Sequence, residues 1–62
     1  MRRYYVFRYK RYDGSFASVI TSGIDLTKDK ADTRVREYLS SIGILVDLVD
    51  EIYEVNKEHE RI

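Results

Sequence analysis

Sixty-two residues make one small domain, and a chain of this length buries only about 60% of the surface that its unfolded form exposes, so its stability is expected to be marginal. With no cysteine and a single histidine, neither disulfides nor a structural zinc site can compensate, which leaves efficient packing or self-association. Eleven basic and eleven acidic side chains cancel, so there is no overall attraction to nucleic acid or to acidic membranes.

No apolar run approaches the roughly eighteen residues that span a bilayer, and Tyr, Arg and Lys interrupt the stretch in which a signal peptide would need its apolar core. No membrane association is expected, and the absence of cysteine fits a cytoplasmic location. The charges are unevenly placed. Residues 1–12 carry five basic groups and no acid, whereas residues 43–62 carry six acids against Lys57 and Arg61. Two readings follow: the basic end contacts phosphates, or it lies beside the acidic segment as cross-strand partner. Net neutrality favours the second.

Residues 3–12 are aromatic and basic, read as a β-strand, and run into Asp13-Gly14, the dipeptide suited to a two-residue hairpin turn. Residues 15–22 form the returning strand. Such a turn sets Lys10 opposite Ala17, Arg8 opposite Val19 and Phe7 opposite Ile20. One face then carries Tyr5, Phe7 and Tyr9 with Phe16, Ser18 and Ile20, and is the expected core. The other carries Tyr4, Val6, Arg8, Lys10 and Tyr12 with Ala17, Val19 and Thr21.

Thr27 is the expected N-cap of a helix over residues 28–42, with Leu26 and Ala31 placed as a hydrophobic staple. Ala31, Val35, Tyr38, Leu39 and Ile42 recur at helical spacing along one stripe. Gly43 is the expected left-handed residue past the helix end, with Ile44 placed to touch Leu39. Residues 45–55 admit two readings. As a strand they supply Ile44, Val46, Leu48 and Ile52 on one face; as an amphipathic helix they supply Leu45, Leu48, Ile52 and Val55 at heptad spacing.

The strand reading is favoured, because a lone hairpin gives the first helix too little to cover. The expected architecture is therefore α+β, a ββαβ chain whose three-stranded, largely antiparallel sheet has the order 2-1-3 with one helix on one face. The alternative is ββαα with a C-terminal amphipathic helix. Residues 56–62 read as a polar tail, with at most a frayed helical turn.

A Tyr-rich first strand, a tight hairpin, the exit Ile20-Thr21-Ser22-Gly23, a helix containing Arg36-Glu37-Tyr38-Leu39 and a closing β-branched strand together resemble the small ββαβ accessory proteins of phages and prophages. The resemblance covers most of the chain and lies in the order of elements. It implies a small intracellular accessory protein of phage or mobile-element type, and it carries over no catalytic or binding residue.

No catalytic set assembles from the sequence. His59 sits in a charged tail, and the Ser and Thr residues fall at strand ends and helix boundaries, where capping and turn hydrogen bonds account for them. Asp47, Asp50, Glu51 and Glu54 lack the spacing of a calcium loop and read as charge partners or as solvated surface. A non-enzyme without metal or cofactor is expected. One helix covers one sheet face, so the other is left as an interaction surface, with Tyr4, Val6, Arg8, Lys10, Tyr12 and Val19 as its expected contacts. The partner is then another protein or a second copy. The alternative is a nucleic acid, since exposed rings interleaved with cations are what single strands stack on.

Overall fold

A computed structural model describes residues 1–62. The aromatic and β-branched residues near the N-terminus form β1 (Arg2–Lys10), which turns back into β2 (Phe16–Ile24); α1 (Lys28–Ser41) and β3 (Leu48–Val55) follow. Both neighbours of β1 are antiparallel to it, and the order is β2-β1-β3. The ββαβ architecture read from the sequence is thus the one adopted, and the helical alternative for the last segment is not.

Local chemistry starts and stops the helix where the sequence places its signals. Thr27 Oγ1 accepts from the Lys30 backbone N–H at 3.3 Å, and Leu26 and Ala31 join Tyr5 in one buried cluster. At the other end Ile44 N–H donates to the Leu39 carbonyl (2.9 Å) and Gly43 N–H to that of Ser40 (3.1 Å), with Gly43 at φ +78°. This is the paired closure that a left-handed glycine permits.

The hairpin departs from expectation. Its loop has three residues, Tyr12-Asp13-Gly14, because Asp13 does not adopt positive φ and only Gly14 does, at +89°. Gly14 N–H closes the turn on the Arg11 carbonyl (3.0 Å), and Asp13 Oδ1 accepts from both the Ser15 N–H (2.9 Å) and the Ser15 hydroxyl (2.6 Å). That Asp-Ser bracket stabilises a turn with one left-handed residue over one with two. The pairing consequently slips by one residue: Lys10 faces Phe16, Arg8 faces Ser18, Phe7 faces Val19 and Tyr5 faces Thr21.

A one-residue slip exchanges the faces of a strand. Ala17, Val19 and Thr21 therefore lie on the helix side, and Phe16, Ser18 and Ile20 on the open side, the reverse of the sequence expectation. Under the helix Phe7, Tyr9, Val35 and Leu39 form the main core, with Ala17, Val19, Ile44, Val46, Val49 and Ile52 packed against it. The small Ala17 and β-branched Val19 of β2 are the residues that pack beneath α1.

In β3 the register shifts between Arg8 and Tyr9: Glu51 is opposite Arg8 and Val49 opposite Tyr9, with Asp50 as the extra residue of a bulge. The bulge lets Val49 and Ile52 both face the helix and turns Leu48 to the open side. Leu48 does not share a face with Ile44, Val46 and Ile52 as the sequence suggested. Strand pairing begins at Leu48, since Ile44 and Val46 enter the core from the connection before it.

Residues 56–62 are not a frayed helix. Asn56 Oδ1 accepts from the backbone N–H groups of Glu58 and Glu60 (both 3.0 Å), His59 takes φ +69°, and the chain doubles back so that Arg61 bridges to Val55. Ile62 N–H then donates to the Glu54 carbonyl at 3.2 Å. The tail thereby occupies part of the outer edge of β3.

Candidate interaction face

The face of the sheet away from α1 is built from the even-numbered residues of β1 and β2 and from Leu48, Glu51, Tyr53 and Val55 of β3. Alternation along each strand puts them there. Its floor is apolar: Val6 is 6% exposed and Val55 2%, although no helix lies over them. Around that floor stand half-buried Tyr4 and Tyr53, and more exposed Phe16, Ile20 and Leu48.

Two arginines lie across these rings. The Arg8 guanidinium sits 4.5 Å from the Phe16 ring centroid, and that of Arg61 sits 4.3 Å from Tyr53. Both cations also meet β3 acids. Arg61 makes a two-pronged contact with Glu51, Nη1 to Oε1 at 3.2 Å and Nη2 to Oε2 at 2.5 Å. Arg8 Nε lies 3.1 Å from Asp50 Oδ2, but its N–H is not aimed at that oxygen, so the contact is an ion pair while the buried Nε lacks a directed acceptor.

The basic first strand therefore lies beside the acidic segment, as net neutrality suggested. Asp47, Asp50, Glu51 and Glu54 are drawn out along β3, and no three His, Asp or Glu side chains converge as a metal site would require.

The expected contact residues divide. Tyr4, Val6, Arg8 and Lys10 share the open face, with Val6 as floor rather than rim. Tyr12 belongs to the hairpin loop, where it is 70% exposed, and not to β1. Val19 is on the opposite side, packed toward Val35 and Leu39. The slipped register replaces it with Phe16 and Ile20, and the doubled-back tail adds Arg61 and protects Tyr53. The one sequence signal for these was the aromatic-cation pairing potential of Phe16 and Arg8, which only the correct register exposes.

Two carboxylates titrate with the architecture. Hydrogen bonding from the Ser15 hydroxyl, and next from its backbone N–H, holds Asp13 below the ordinary value of 3.8. The Arg61 hydrogen bond holds Glu51 below its ordinary 4.5. A depressed folded-state pKa means that the unfolded chain binds the proton more readily, so this stabilisation is complete above the ordinary values and is lost as pH falls through the lower folded ones. The double substitution Asp13→Asn with Glu51→Gln is expected to flatten the loss of urea stability between about pH 5 and pH 2. Parallel acid limbs for the two proteins would contradict that assignment.

No helix is long and apolar enough to cross a membrane. Comparison with protein-family models, curated proteins and solved structures returns no match for this chain.

Proposed function

We propose that this protein is a non-enzymatic interaction module that docks another protein, or a second copy of itself, through the open face of its sheet, in the manner of a small phage or mobile-element accessory protein. The observation that carries this reading is a sheet face without a helical cover, on which Tyr4, Phe16, Ile20 and Leu48 surround a dry floor of Val6 and Val55. An apolar centre ringed by charge is the usual anatomy of an interface, and Tyr and Arg are favoured anchors there.

A nucleic-acid partner is the weaker reading. Arg8 and Arg61 already face Asp50 and Glu51, and those carboxylates would lie against a phosphate backbone. The test compares the wild type with a Tyr4→Ala/Leu48→Ala variant in binding to partner proteins from the producing cell and, by light scattering, in assembly beyond a dimer. Loss of two anchors is expected to weaken binding by about tenfold or more while the circular dichroism spectrum is unchanged. Equal partner binding together with equal assembly beyond a dimer would reject the face. Salt-sensitive binding of labelled oligonucleotides would replace the protein reading with the nucleic-acid one.

A further inference from the structure

The two margins of the sheet are treated differently. Along β3, the Asp50 bulge, a row of acids and the returning tail leave little edge for another strand to join. Along β2 there is almost no such protection. From Gly14 to Ile24 the chain has no charged residue and no proline, although 35% of the protein is charged.

Hydrogen-bond alternation shows which backbone groups of β2 are free. Arg11 N–H donates to the Ser15 carbonyl (2.8 Å) and Asp25 N–H to that of Met1 (2.7 Å), so odd-numbered residues of this strand face β1 and even-numbered ones turn their amides outward. One outward group is already taken. Arg34 reaches from α1 and donates to the Ser22 carbonyl at 2.7 Å, in space left by Gly23, where a Cβ would come within 2.9 Å of its Nη1. Phe16, Ser18 and Ile20 keep both amide groups free.

We propose that two copies of this chain pair antiparallel along β2, centred on Ser18, to form one continuous six-stranded sheet. In that register Ser18 faces Ser18 of the second copy, and Phe16 faces Ile20 twice, so the three residues with free amides are the ones used and the Ser22 carbonyl is avoided. Phe16 and Ile20 are 49% and 43% exposed on the same face, and each pair covers the other. Charge complements at both ends: the Asp13-Gly14 turn of one copy lies opposite Ser22-Gly23 of the other, beside Arg34. A twofold pairing needs the same strand to match itself, and an uncharged strand does so without repulsion. The inference is independent of the open-face reading, because edge pairing leaves Tyr4 and Leu48 uncovered.

Molar mass by light scattering across a concentration series tests it, with Ser18→Lys and Ser18→Pro as variants. Neither removes a hydrogen bond inside the protomer, since the Ser18 N–H points outward; Ser18→Lys sets two like charges at the symmetry axis, and Ser18→Pro removes a pairing donor. The wild type is expected to rise from 7.4 kDa toward twice that mass, and the folded variants to stay at 7.4 kDa. Tyr4→Ala/Leu48→Ala is expected to dimerise like the wild type. Amide exchange should slow at Ser18 and Ile20 as the mass rises. A wild type that stays at 7.4 kDa at millimolar concentration, or a dimer that persists in Ser18→Lys, would overturn the proposal.

Discussion

Phe7→Ala is expected to remove about a third or more of the stability of the domain at 25 °C. Phe7 is fully buried where the central strand meets α1, against Tyr9, Val35 and Leu39. Truncating such a ring costs about 3–5 kcal/mol, through lost transfer energy and the cavity left behind. At roughly 0.05–0.15 kcal/mol per residue, the whole domain has about 3–9 kcal/mol to lose. Far-UV circular dichroism and a urea titration read the effect. Phe16→Ala is the control, because that ring is half exposed on the other face and its loss should shift the midpoint only slightly. Similar midpoints for the two variants would mean that the helix-side core does not dominate stability.

Val6→Asp destabilises the protein by about 3 kcal/mol or more at neutral pH, although its side chain lies on the face that no helix covers. The reason is the floor described above: Val6 is 6% exposed, with Tyr53 directly across on β3 and Ile20 across on β2. A carboxylate there loses its water without a designed partner, and part of the loss should be recovered near pH 4 as the group takes up a proton. Ser18→Asp, on the same face but exposed, should change stability by no more than about 0.5 kcal/mol. If Val6→Asp were as mild as Ser18→Asp in urea, the open face would have no dry floor. The proposed interaction surface would then lose its apolar centre.

These expectations turn on which side of the sheet each residue occupies, and that was only partly readable from the chain. For β1 the alternation is unambiguous: Tyr5, Phe7 and Tyr9 are the apolar set and become the core, and Tyr4, Val6, Arg8 and Lys10 fall on the other side. For β2 both faces are uncharged and similar in polarity, so the strand's own pattern does not set the register; the Asp13-Ser15 hydrogen bonds favour the three-residue turn, and Ala17 and Val19 packed against the helix-side core hold it. Val19, expected on the open face, and Phe16, expected in the core, exchange sides for that reason. In β3 the difficulty was the bulge: Asp50 breaks the alternation as a sequence pattern, yet as an extra residue it restores Val49 and Ile52 to one side.

What the amino acids determined unaided were the features that depend on neighbours in the chain. Thr27 and Gly43 delimit the helix, the Ala31-Val35-Leu39 stripe selects its buried side, and β-branched residues near the end favour a third strand. Charge asymmetry likewise brought the acidic strand beside the basic one, because opposite signs on adjacent strands need no detailed geometry to attract. The tertiary structure alone decided the hairpin register, the bulge opposite Arg8, and the fold-back that sets Arg61 over Tyr53 and against Glu51. Each of these is a choice among local conformations of nearly equal energy, and packing contacts between residues far apart in the chain are what separate them.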